Sequence, residues 1–140
     1  MRVVFDTNIY ISAILFGGKP EKLLRLAKEG VFELLISGEI MAEIARVLRI
    51  KFGWESWRIS MVIDEIRENT TLITPARRIQ AVAEDEADNR VLECALEGGA
   101  SYVISGDKHH LLPLKEFMGV KIVSASEFLE MISGGESGHP

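Results

Sequence analysis

Short continuous apolar runs alternate along the chain with longer segments whose apolar residues recur every three or four positions. The runs Val3–Phe5, Phe32–Ile36, Thr70–Thr74, Tyr102–Ile104 and Val120–Val123 predict five strands, the first of them apolar throughout, as burial on both faces requires. Between them, Ile9, Ile11, Ile14 and Leu15 predict a helix that stops at Gly17-Gly18, and Pro20 opens a second helix carrying Leu23, Leu24 and Ala27. Ser37 is placed to cap a third helix with the stripe Ile40, Ile44, Val47, Leu48 and Ile50, and a fourth carries Ile59, Val62, Ile63 and Ile66. Asp85 caps a fifth, with Val91, Leu92, Ala95 and Leu96, that ends at Gly98-Gly99, and Ser126–Ile132 closes the series. Such alternation predicts an α/β domain: a parallel sheet with helices on both faces, joined by right-handed crossovers. No repeat or linker interrupts it, so residues 1–132 read as one domain and the Gly/Ser-rich residues 133–140, with His139, as a disordered tail.

Four acids break this pattern. Asp6 directly follows the first strand and Asp107 follows the fourth behind Ser105-Gly106, which puts both at the carboxyl edge of the sheet, where open α/β folds bind ligands. Glu43 falls in the series Ile40, Glu43, Ile44, Val47 and Asp88 in the series Asp88, Val91, Leu92, Ala95, so each occupies a position facing the core. A buried carboxylate costs several kcal/mol unless it is paired, protonated or bound to a metal. Each acid has a structural explanation alone: Glu43 can pair with Arg46 or Arg49, Asp88 can belong to a cap with Asp85, and Asp6 and Asp107 can start turns. Their coincidence at strand ends and inward helix faces favours one shared site.

Composition narrows what that site can be. The single cysteine, Cys94, reads as a small core side chain and leaves no Cys-rich zinc cage, whereas clustered carboxylates suit Mg²⁺ or Mn²⁺. His109 and His110 follow Asp107 closely and are candidate ligands, with the reading as loop residues beside the site favoured because adjacent side chains seldom converge on one ion. A formal charge of −5 argues against a broad basic nucleic-acid surface, an argument that weakens if bound cations neutralise the clustered acids. Arg46 and Lys108, which lie near the acids in sequence, are the first candidates for substrate phosphates. The absence of a secretory leader and of any span of about 20 apolar residues predicts a cytoplasmic protein without a membrane anchor. Trp54, Trp57 and Met61 form a second apolar stripe on the fourth helix, which predicts either a dimer or protein-partner contact or a cap on the core edge.

Val3-Val4-Phe5-Asp6-Thr7-Asn8, Ser37-Gly38-Glu39-Ile40-x-x-Glu43, Asp85-Glu86-Ala87-Asp88-Asn89 and Val103-Ile104-Ser105-Gly106-Asp107 together resemble PIN domains, from Arg2 to about Leu129. Phe16-Gly17-Gly18-Lys19-Pro20 and Gly98-Gly99-Ala100 resemble the branch related to the VapC toxins of toxin-antitoxin systems. The resemblance implies a three-layer α/β/α sandwich with a five-stranded parallel sheet of order 3-2-1-4-5. It implies Mg²⁺- or Mn²⁺-dependent RNA cleavage and frequent homodimers, and a cognate antitoxin more weakly, since PIN domains also serve as stand-alone RNA-processing nucleases. Carried over by position, Asp6, Glu43, Asp88 and Asp107 are the catalytic and metal-binding acids, supported by Asn8, Ser105 and Asp85. Ser105 stands where many relatives have threonine, which keeps the hydroxyl.

Two other chemistries compete. A dehalogenase-type phosphatase needs a second acid at position 8, which is Asn8, and a receiver domain needs its phosphorylated Asp after the third strand, where Thr74-Pro75 stands. A third possibility is the same fold as an inactive RNA- or antitoxin-binding scaffold, against which the full set of acids argues.

Overall fold

The computed structural model describes residues 1–80 and 85–137. Its elements are β1 (Arg2–Phe5), α1 (Thr7–Leu15), α2 (Gly18–Lys28), β2 (Glu33–Ser37), α3 (Gly38–Ile50), α4 (Ser56–Glu68), β3 (Thr71–Ile73), α5 (Glu86–Glu97), β4 (Tyr102–Ile104), β5 (Glu116–Phe117), β6 (Val120–Val123) and α6 (Ala125–Ser137), with a 3-10 turn at Leu112–Leu114. The sheet order is β3-β2-β1-β4-β6-β5, parallel except for the last pair. The five expected strands are therefore present in the expected order, and β5 is a sixth. It is two residues long and pairs back on β6 through Met118 and Gly119, both at positive φ, too short for a pattern of period two to reveal.

β1 and β2 sit in the middle and are buried on both faces, which is why they read as unbroken apolar runs. α3 packs against α1, α4 and α5, α5 lies on β1, β2 and β4, and α2 packs against α6. Ile40, Ile44 and Leu48 of α3 are fully buried, whereas Ile50 is 69% exposed because the helix has carried it past the core edge. Likewise Ile59 and Ile66 of α4 are buried while Trp57 and Met61 face outward, and the Arg58 guanidinium stacks 3.7 Å over the Trp54 ring. α6 continues past Ile132 to Ser137, across a segment expected to be tail; residues 138–140, including His139, lie outside the described residues.

Gly98 marks the tightest approach of α5 to the sheet. A Cβ there would stand 2.5 Å from Leu35 Cδ1 and 3.1 Å from the Cys94 carbonyl, with Leu35 fully buried and unable to swing aside. Gly98→Ala is expected to destabilise the fold by about 1–3 kcal/mol in denaturant unfolding, through overpacking alone, since φ at Gly98 is −82°.

Candidate active site

The register β1 to β4 pairs Phe5 with Ile104, so the residues that follow, Asp6 and Ser105, leave the sheet side by side. One connection from β1 leads toward β2 and the other neighbour is β4, which makes this edge the point where the strand order reverses. Asp6 is 2% exposed and caps α1: its Oδ1 accepts the Ile9 N–H at 2.9 Å, and its Oδ2 accepts the Ser105 hydroxyl at 2.5 Å and the Gly106 N–H at 3.2 Å. The Ser105 hydroxyl in turn accepts the Asp107 N–H at 2.9 Å, so β1 and the loop after β4 are locked together by one serine. Burial pushes the Asp6 carboxyl up to about 6, against the lowering effect of the bonds from Ser105, Ile9 and Gly106 and with a further upward push from the charge of Asp107.

Asp107 uses its two oxygens differently. Oδ1 accepts the His109 and His110 N–H groups at 2.9 and 3.1 Å, forming a turn that the wholly buried Leu111 anchors. Oδ2 faces inward, 3.4 Å from His110 Nδ1. Asp88 lies one turn into α5, 9% exposed, with its N–H bonded to Asp85 Oδ1 at 3.1 Å. Its pKa is pushed up to about 9, first by burial, then by donating to Asp107, then by the charges of Asp85, Asp107 and Asp6. Asp107 is drawn down to about 2: burial acts upward but is outweighed by the bond from Asp88, the two backbone N–H groups and the charge of His110. The two carboxyls thus compete for one proton, with Asp88 shifted up and Asp107 down. Without that proton Asp88 Oδ2 is a buried oxygen for which the described residues supply no donor.

One ligand atom from each of Asp85, Asp88, Asp107 and His110 lies within 4.8 Å of all the others. Asp6 and Glu43 stand outside this set and line a cleft of about 260 Å³ with Thr7, Asn8, Arg46, Lys51 and two members of the set, Asp85 and Asp88. Glu43 keeps 22% of its side chain exposed and holds Arg46 through Nε at 2.9 Å and through a terminal nitrogen at 2.5 Å, so the ion pair across a helix turn exists alongside its place in the cleft. Asn8 and Lys108 are exposed. An adjoining cleft shares Thr7, Glu43 and Ala87 and adds Glu39, Arg78, Glu86 and Arg90.

Two features escape the sequence pattern. His110 joins the cluster although His109 does not, because the Asp107 turn presents only the second of the adjacent rings. Glu93 is 2% exposed; its Oε1 stands 3.1 Å from Arg90 Nε and 3.4 Å from Arg78, and its Oε2 accepts the Ile79 N–H at 2.6 Å. The only sequence signal for Glu93 is an acid flanked by Leu92 and Cys94 in a helix buried on most of its surface.

Residues 2–109 match the family model described as PIN domain. An uncharacterized protein of Methanocaldococcus jannaschii is 31% identical over 144 residues, spanning 93% of this chain and 90% of the relative. Among solved structures, VapBC2 from Rickettsia felis bound to a DNA fragment from its promoter matches at TM-score 0.65 and 14% identity over 89% of this chain and 98% of that one. VapBC-1 from nontypeable Haemophilus influenzae matches at TM-score 0.61 and 16% identity over 90% and 99%. At these identities the two structures establish the fold. Among the described residues no helix is long and apolar enough to cross a membrane.

Proposed function

Because this chain belongs to the PIN domain family, we propose that it is a divalent-metal-dependent endoribonuclease, Mg²⁺ or Mn²⁺ being the cofactor, and the toxin of a toxin-antitoxin pair in the cytoplasm. The observation that carries the catalytic reading is Asp88 Oδ2: a buried carboxylate oxygen for which the described residues supply no donor, 3.8 Å from the His110 Nδ1 that also approaches Asp107, at the ligand-binding edge of the sheet. A cluster of acids in that position is destabilising by itself and becomes favourable when a divalent cation offsets its charge. The donor set, carboxylates with one imidazole, fits such an ion. The toxin role is supported by the two VapBC neighbours and by the glycine motifs at Gly17-Gly18 and Gly98-Gly99.

A divalent ion supplies, when bound, acidification of water and charge relief at the phosphoryl oxygens, the chemistry that phosphodiester hydrolysis needs. The chain's own part is positional. Ser105 and the Gly106 N–H hold Asp6 in one orientation, the turn at Asp107 ties up Oδ1 and leaves Oδ2 beside His110, and Asp85 fixes the first turn of α5 and with it Asp88. Arg46 and Lys51 on the rim offer charge to the RNA backbone, with Lys108 beyond them. Purified protein should cleave labelled single-stranded RNA with Mn²⁺, lose cleavage on chelation, and lose it in Asp6→Asn and Asp107→Asn. Cleavage undiminished in both variants would trace the activity to a contaminant and sink the assignment.

The outward face of α4 supports a homodimer, since Trp57 and Met61 are 61% and 64% exposed on a helix whose opposite face is already buried. Light scattering should give a dimer that Trp57→Ala weakens; a monomer in both proteins would remove it.

A further inference from the structure

Resting on the metal-dependent reading above, we propose that His110 is itself a ligand of the metal centre, through Nδ1, alongside Asp85, Asp88 and Asp107, and that this imidazole biases the centre toward a first-row transition ion over Mg²⁺. Cis ligands of an octahedral ion at about 2.1 Å stand roughly 3 Å apart and trans ligands roughly 4.2 Å apart. His110 Nδ1 is 3.4 Å from Asp107 Oδ2 and 3.8 Å from Asp88 Oδ2, and the four donors all fall within 4.8 Å, so small side-chain rotations close them on one ion. Asp88 Oδ2, buried and without a donor among the described residues, marks the place independently of the acids' clustering.

The imidazole is there by construction rather than by chance of a loose loop. Its own N–H is bonded to Asp107 Oδ1, the following residue Leu111 is completely buried, and the Leu112 N–H bonds the Asp107 carbonyl at 2.9 Å. His110 is thus clamped between a carboxylate and the core, with its ring partly open to solvent, where an ion can enter. Mg²⁺ takes oxygen ligands and holds its waters, whereas imidazole suits the later first-row ions and is accepted by Mn²⁺ more readily than by Mg²⁺, so one nitrogen among three carboxylates changes relative affinity more than it changes charge.

Full-length protein titrated with Mn²⁺ and with Mg²⁺ by calorimetry, together with pulsed electron paramagnetic resonance of the Mn²⁺ complex, tests this. The wild type should show coupling of the Mn²⁺ electron spin to a histidine nitrogen. His110→Ala should lose that coupling and bind Mn²⁺ at least about 10-fold more weakly, with Mg²⁺ affinity changed by less than about 3-fold. His109→Ala, a change to an exposed ring beside the cluster, should leave both intact. The wild-type spectrum needs no variant, so a misfolded His110→Ala does not shield the proposal. If Mn²⁺ binds and RNA is cleaved but the nitrogen coupling is absent, or both affinities fall together in His110→Ala, the ligand assignment falls alone. If neither ion binds, the nuclease reading falls with it.

Discussion

Asp88→Asn is expected to be more stable than the wild type in chelator at pH 8, by about 2 kcal/mol or roughly 6 °C in Tm, and to gain little from Mn²⁺. The sign follows from the proton. The Asp88 carboxyl is pushed up to about 9 in the folded state from its ordinary 3.8, so between these values the folded state holds a proton that the unfolded state has released. Stability therefore falls as pH rises through that window, and the loss levels off near pH 9. Asp6, raised to about 6, adds a smaller loss confined to the region between about pH 4 and 6. Asp107, drawn down beside Asp88, contributes in the opposite direction and offsets part of the penalty. Asparagine cannot ionise, and its amide supplies the donor that Asp107 otherwise takes from protonated Asp88. The wild type should recover about 2.7 kcal/mol in Mn²⁺ at 100 times its Kd, a gain the variant largely lacks. Scanning calorimetry at pH 5 and pH 8, with chelator and with Mn²⁺, measures all four states. A variant less stable than wild type at pH 8 in chelator would contradict the picture of a charge-repelling site awaiting its ion.

This opposition between stability and metal binding explains which parts of the molecule were readable beforehand. Core-forming elements announce themselves because burial acts on every residue of a face: β1 and β2 as unbroken apolar runs, α3 as Ile40, Ile44 and Leu48. Caps were readable for a local reason, since Ser37 and Asp85 each bond the N–H three residues ahead, within their own segment. Ends were less so. Ile50 continues the apolar spacing of α3 beyond the surface that spacing serves, and Ser133-Gly134-Gly135 offers weak helix formers that nonetheless extend α6.

At the site, periodicity marks Asp88 as an anomaly and the structure buries it, but the same reasoning treats Glu43 alike, and there a partly exposed acid is held by Arg46. A spacing reports which way a Cβ points; it is silent on whether the far end of a longer side chain reaches water or a cation. The position of His110 depends on a turn made by a carboxylate three residues before it, and Glu93 depends on Arg78 from a different segment, so both lie beyond a pattern drawn along one helix.

Glu93→Ala should cost about 3 kcal/mol, among the largest losses available to a single polar side chain in this fold. Its carboxylate is buried and meets three groups at once: Arg90, whose side chain is 14% exposed, Arg78, and the Ile79 N–H. Removing it leaves Arg90 with the Ile79 carbonyl at 3.2 Å and the exposed Glu86 at 3.6 Å, contacts that cannot replace a buried counter-charge. Arg90 Nε stands close to Glu93 at an angle that makes the contact ionic rather than a hydrogen bond, so the loss is mainly of charge compensation. Glu93→Gln keeps the shape and an acceptor for Ile79, so it should cost about half as much. Because Ile79 hangs from Glu93, Arg78 is held chiefly by Glu39, and the Ala76 N–H bonds Glu97 Oε1 at 2.9 Å, the segment from Pro75 to Gln80 should lose amide-exchange protection at Ile79 before Ala76 is affected. Arg78 also lines the cleft beside Glu43, so RNA affinity should fall in Glu93→Ala while Mn²⁺ affinity at the Asp88–Asp107 pair is retained. Equal loss of both would mean that α5 itself, rather than the strap across it, depends on this buried acid.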